Sequence, residues 1–209
     1  MSRGFFITFE GGEGAGKSTQ VRRLAERLRA AGREVVVTRE PGGSTGAEAI
    51  RGLLVSGAAD RWSPISEALM MNAARRDHVE KLIAPALARG DVVICDRFAD
   101  STRAYQGAAG GAPADLIATL ESAVVGDCRP DLTLVLDLPV DIGLARAADR
   151  GGAEARFEAK GAAFHAAIRQ AFLDIAAAEP GRCVVVDSSA PPEVVAEAVW
   201  AAVEARMAS

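Results

Sequence analysis

The eight residues Gly11-Gly12-Glu13-Gly14-Ala15-Gly16-Lys17-Ser18 satisfy G-x-x-x-x-G-K-[ST], a spacing that works only between a strand and a helix. The glycines let backbone N–H groups close around an anion, and the helix that follows adds the positive end of its dipole. Both flanks fit. Phe5-Phe6-Ile7-Thr8-Phe9 is a short apolar run, and Gln20–Ala31 places Val21, Leu24, Ala25 and Leu28 on one helical face. In such a loop Lys17 reaches the β- and γ-phosphates of a nucleoside triphosphate, and the Ser18 hydroxyl ligates Mg²⁺. The chain has three lysines against 21 arginines, so a lysine at this one position is poorly explained as filler.

The rest of the chain alternates strand-like and helical segments. Phe5–Phe9, Glu34–Thr38, Val92–Cys95, Leu132–Asp137 and Cys183–Asp187 are short and apolar on both faces, as parallel strands covered by helices are. Helical spacing fills Gln20–Ala31, Glu48–Ser56, Ile65–Arg89, Pro113–Val125, Asp141–Arg150, Phe157–Ala178 and Pro192–Arg206. The expected architecture is an α/β domain over residues 1–209, a five-stranded parallel sheet between two helical layers. Gly151-Gly152-Ala153 breaks an arginine-rich helical stretch, which suggests a mobile flap near residues 146–158. The net charge of −4 argues against a nucleic-acid polymer as partner. The apolar runs fall short of the ~20 residues that span a membrane, and the N-terminus has no signal-peptide pattern. Cys95, Cys128 and Cys183 are widely spaced and show no metal-ligand pairing, which points to free thiols in a reducing cytoplasm.

Ligands in such sheets sit at the carboxyl ends of the strands, and the informative motifs follow those ends. Asp96-Arg97-Phe98 follows the third strand, where an acid beside the phosphate loop can hold Mg²⁺ and an arginine meets phosphate charge. Asp100-Ser101-Thr102-Arg103-Ala104-Tyr105-Gln106-Gly107 gathers hydroxyl, phenol and amide groups able to read a base edge or a sugar. Arg75 lies in the long helix with Met71, while Arg146, Arg150 and Arg156 flank the double glycine, where one of them can close over a moving phosphoryl group. His78 and His165 have no partner at useful spacing and read as ordinary surface or core residues. No nucleophile-and-base arrangement is legible. An acceptor that is itself a phosphate monoester needs none, because its second pKa of ~6 leaves the oxygen ionised at pH 7.

Taken in order, Phe9 to Gln20, Thr38-Arg39-Glu40-Pro41-Gly42-Gly43-Ser44, Ala73-Ala74-Arg75, Asp96-Arg97-Phe98, Ser101 to Gly107 and Val186-Asp187-Ser188-Ser189 resemble the thymidylate kinase family over essentially the whole chain. The resemblance implies a P-loop, nucleoside monophosphate kinase-like fold that phosphorylates dTMP with ATP and Mg²⁺ in dTTP synthesis, as a homodimer. It implies that Gly11 to Thr19 bind ATP, that Ser18 and Asp96 serve the metal, and that Glu13, Lys17, Arg97 and a flap arginine are catalytic. Arg150, directly before the glycine break, is the first choice for that arginine, since the loop itself carries Gly14-Ala15. For dTMP it implies Glu40 and Pro41 at the phosphate pocket, Arg75 and Thr102 at the base, Tyr105 at the deoxyribose, and Met71, Arg97, Ser101 and Gln106 around them. It further implies Glu13 near the 3′-hydroxyl, the loop after Asp187 against adenine, and a dimer interface on the helix Ile65–Arg89. Family members usually carry a base-stacking phenylalanine four residues before the thymine-reading arginine, where this chain has Met71. A kinase of another nucleoside monophosphate and a P-loop regulatory ATPase are the alternatives left open.

Overall fold

The computed structural model describes residues 3–58, 60–150 and 160–208, the side chains of Asp149 and Arg150 excepted. Five parallel strands, β1 (Phe5–Glu10), β2 (Val35–Arg39), β3 (Val92–Asp96), β4 (Leu132–Asp137) and β5 (Cys183–Asp187), lie in the order β2-β3-β1-β4-β5. β1 is therefore central, and the chain leaves it at the crevice beside β3, where Phe9 is paired with Asp96. That reversal of strand order brings the phosphate loop next to the acid predicted to serve its metal.

Successive side chains of each strand serve opposite layers. Ile7 and Phe9, with Ile94 and Leu134, pack under α1 (Lys17–Ala30) and α9 (Pro192–Met207) through Val21, Leu24, Leu28, Val195, Val199 and Val203. Phe6, Val93 and Cys95 face the other way, onto Val79, Ile83 and Leu87, while Val135 and Cys183 meet Ile168, Phe172 and Ile175 of α8 (Ala162–Ala178). Each fully buried aliphatic or aromatic side chain contributes about 1.5–3 kcal/mol. The rigid floor of the site is built from these layers. α2 (Thr45–Val55), α6 (Ala114–Val125) and α7 (Val140–Arg150) complete the helices around it.

Two helical readings are corrected. The spacing predicts one helix over Ile65–Arg89, whereas α3 (Pro64–His78) passes through a π-helical turn, Val79–Ile83, into α4 (Ala84–Ala88). There the Ala84 N–H reaches the Val79 carbonyl, one residue further back than in an α-helix, just before Pro85, which has no N–H to give. The segment after Asp96 is the short helix α5 (Ala99–Thr102) running into a second π-helical turn, Arg103–Ala108. The start at Phe157 that periodicity suggests lies outside the described residues, among which α8 begins at Ala162.

Candidate active site

The phosphate loop needs its glycines. Gly14 has φ +67°, and a Cβ there would lie 2.0 Å from the Gly143 carbonyl oxygen, so α7 rests directly on the loop. Lys17 opens α1, with Nζ donating to the carbonyls of Gly12 at 2.8 Å and Gly11 at 3.1 Å. Ser18 Oγ donates to Asp96 Oδ2 at 2.7 Å. These are two hard oxygen donors side by side at the mouth of the crevice. Mg²⁺ takes few protein ligands and keeps waters and phosphate oxygens, so the pair fits such an ion. Gly14, Ala15, Gly16 and Thr19 line a groove of about 790 Å³ with Arg146, Ser188 and Ala190. Arg146 Nη1 donates to the Ser188 carbonyl at 3.3 Å, which joins α7 to the loop after β5. Arg156 and the side chain of Arg150 lie outside the described residues.

On the other side of the loop is a cavity of about 490 Å³. Four stretches of chain line it: Glu40 and Pro41 after β2, Met71 and Arg75 on α3, Arg97 after β3, and Ser101, Thr102, Tyr105 and Gln106 from α5 and its π turn. The residues that the resemblance assigns to dTMP are thus brought together. Glu13 also faces this cavity, so one loop residue belongs to both compartments.

At the junction Arg97 Nη2 donates to Glu13 Oε1 at 3.0 Å and Nη1 to the Gly11 carbonyl at 3.1 Å. The Tyr105 hydroxyl donates to the same Glu13 oxygen at 2.6 Å, and the Arg97 guanidinium lies 4.9 Å from the centre of the Tyr105 ring. Burial by itself would raise the Glu13 carboxyl, but the charges of Arg97 and Lys17 and the Tyr105 hydrogen bond outweigh it and bring the pKa down to about 2. Because this lies below the ordinary 4.5, Glu13 adds stability above pH 4.5 that is lost as the pH falls toward 2, of order 3 kcal/mol. Between pH 4.5 and 2.5 the thermal midpoint of Glu13→Gln is expected to fall less than that of the parent protein, as calorimetry would read it. Parallel acid losses in the two proteins would contradict this account of Glu13.

Arg75 is 2% exposed, with Nε donating to Glu40 Oε2 at 2.7 Å and Nη2 to the Phe98 carbonyl at 2.9 Å and Thr102 Oγ1 at 3.1 Å. Spacing gave His78 no role, yet it is fully buried, its Nδ1 2.9 Å from Glu40 Oε1 and its Nε2 2.7 Å from Thr38 Oγ1. Glu40 is an acceptor, so Nδ1 carries the proton of that bond. Gly43 is held to glycine here, since a Cβ would lie 2.4 Å from both His78 Nε2 and Thr38 Oγ1. Arg51 Nη1 caps the Pro41 carbonyl at 2.8 Å, and Val55 and Phe98 add apolar wall. Among these missed residues only Phe98 carried a signal, its place beside Asp96-Arg97. Arg51, Val55 and His78 act through contacts that spacing does not encode.

A family model described as thymidylate kinase matches residues 9–199. The chain belongs to the thymidylate kinase family. A thymidylate kinase of Caulobacter vibrioides is 67% identical over 199 residues, covering 95% of each chain. One from Rhodopseudomonas palustris is 57% identical over 208 residues, covering 98% of this chain and 90% of that one. Among solved structures, the thymidylate kinase of Ehrlichia chaffeensis superposes with a TM-score of 0.79 at 36% identity, covering 95% of this chain and 98% of its own. The family fold, a P-loop kinase built on a five-stranded parallel sheet, is the fold described above.

Proposed function

We propose that this chain transfers the γ-phosphoryl group of ATP to the phosphate of dTMP, giving dTDP and ADP on the route to dTTP. One observation carries the reading: Glu13 and Arg97 are shared between the phosphate loop and a separate pocket lined by Arg75, Thr102 and Tyr105. A phosphate oxygen of the acceptor attacks the γ-phosphorus as the bond to the β–γ bridging oxygen breaks. That oxygen is already ionised at neutral pH, so positioning and charge neutralisation supply the catalysis. Lys17 holds the β- and γ-phosphates, Arg97 bridges donor and acceptor, and Arg75 with Thr102 reads the thymine edge. Ser18 and Asp96 would hold Mg²⁺, which when bound draws charge from the phosphate oxygens.

The stretch 146–158 serves in this reading as a flap over the phosphates, with Arg150 as its contact. α7 is seated on the loop through Gly14 and Gly143, which supports this reading, and 151–158 of the flap lie outside the described residues. A homodimer is supported by Leu53 on α2 and Ile65 and Leu69 on α3, large apolar side chains that are 43–49% exposed. No helix of the described residues is long and apolar enough to cross a membrane, and the three cysteines are free thiols, which supports a cytoplasmic setting.

The test is ADP release from Mg²⁺-ATP with dTMP, dUMP, dCMP, dGMP or no acceptor. Strong dTMP-dependent turnover over a low blank is expected. Equal rates with dTMP and dUMP would mean that Met71 gives up methyl recognition that a stacked ring would supply, and ADP release indifferent to the acceptor would remove the kinase reading altogether.

A further inference from the structure

Arg97 is the one non-glycine residue described with a positive φ, 68°. A large side chain holds that backbone conformation only where the surroundings over-determine it. Two groups from the end of β1 do so. The Phe9 carbonyl accepts the Arg97 N–H at 2.9 Å. One Glu10 oxygen accepts the N–H of the next residue, Phe98, at 2.8 Å and that of Ser101 at 3.3 Å, and the other lies 2.6 Å from Ser101 Oγ. Glu10 is fully buried, and no step of phosphoryl transfer uses it. The far end of the same turn is fastened separately, because Arg182 grips Asp100 at 2.7 and 2.9 Å. What Glu10 supplies is the fastening next to Arg97, whose Nη1 is in turn 3.4 Å from Ser101 Oγ.

We infer that Glu10 is a positioning residue for phosphoryl transfer: by bracketing Phe98 and Ser101 it holds the strained Arg97 backbone, and so its guanidinium, between donor and acceptor phosphates. This rests on the reading of Arg97 given above. The bracket does not require a charge. Burial, and then the nearby Asp100 carboxylate, push the Glu10 carboxyl up to about 8, and its carbonyl oxygen accepts the Phe98 N–H in either form. Glutamine has the shape and the acceptor of the protonated acid and should replace it, while methionine fills the space without the acceptor.

Glu10→Met is expected to lower kcat by ~10- to 100-fold with the KM values for ATP and dTMP within ~3-fold, the scale set by releasing one strained residue. Glu10→Gln should stay within ~3-fold of the parent kcat, and Glu10→Met placed on an Arg97→Ala background should cost less than ~3-fold more. If Glu10→Met does not fold, Glu10→Ala carries the same comparison, and a deficit that Glu10→Gln shares overturns the inference. So does an equal fall in kcat on both backgrounds, which marks a general structural role, or a parental kcat in Glu10→Met. Failure of the underlying reading looks different: Arg97→Ala itself would then keep a near-parental rate.

Discussion

Replacing Arg97 by alanine is expected to lower kcat by ~10³-fold or more while the KM for ATP moves by less than ~3-fold. The guanidinium is buried, fastened to Glu13 and to the Gly11 carbonyl, and laid against the Tyr105 ring, so it is in place before either substrate arrives. Charge held in advance pays no reorganisation penalty at the moment of transfer, which is why such a group acts on kcat rather than on ground-state binding. Lys17, proposed above to hold the ATP phosphates, is untouched in the variant, hence the small change expected in KM. Arg97→Lys should recover little, because an ammonium is a point charge and cannot bridge two phosphates as a planar fork does. Single-turnover transfer from ATP to dTMP separates this from slow product release. A burst at the parental rate in Arg97→Ala would refute the bridging role.

The same substitution should reach Glu13. The Arg97 charge is the largest of the influences that lower this carboxyl against the opposing effect of burial, so without it the pKa rises. A protonated Glu13 loses its charge on the side facing the acceptor cavity. Transfer in the variant would then depend on pH in a range where the parent is flat, which ties the electrostatics of the loop to the rate.

What could be read from the chain was local. Gly14 and Gly16 adopt the left-handed conformations that a phosphate loop demands, and β1, β3 and β4 are nearly continuous apolar runs because both faces are covered. β2 was misplaced by one residue because Glu34 and Arg39 at its ends are equally polar. The π turns were not legible, since each slips from i→i−4 to i→i−5 bonding over a single turn of 5 or 6 residues, too short for its own apolar period to show. The acceptor cavity lay beyond spacing altogether. Its walls come from segments as far apart as Glu40 and Gln106, and only the family resemblance brought those residues together before the fold did. His78 and Glu10 stayed invisible for the same reason: their partners are 38 and 88 to 91 positions away. A buried polar group declares itself through its partner, and the partner is a property of the fold.

Arg75→Met is expected to destabilise the protein by ~3–5 kcal/mol and to weaken dTMP binding by at least ~100-fold, and the two losses should be separable. Removing the guanidinium leaves the Glu40 carboxylate buried, its Oε2 without the 2.7 Å donor and, among the described residues, only His78 on Oε1. An unpaired buried charge is dearer than the pair it came from, so neutralising it should restore stability: Arg75→Met combined with Glu40→Gln is expected to regain ~2 kcal/mol or more. Binding should not return with it. Arg75 also ties the Phe98 carbonyl to Thr102 Oγ1, and the methionine of the double variant restores neither that tie nor the guanidinium beside the cavity. Urea unfolding and calorimetric titration with dTMP on the two single variants and the double variant read both quantities. If stability and affinity recovered together, Arg75 would be acting only as a brace for Glu40; if stability alone recovers, the arginine holds the pocket with some of its donors and reads the ligand with the rest.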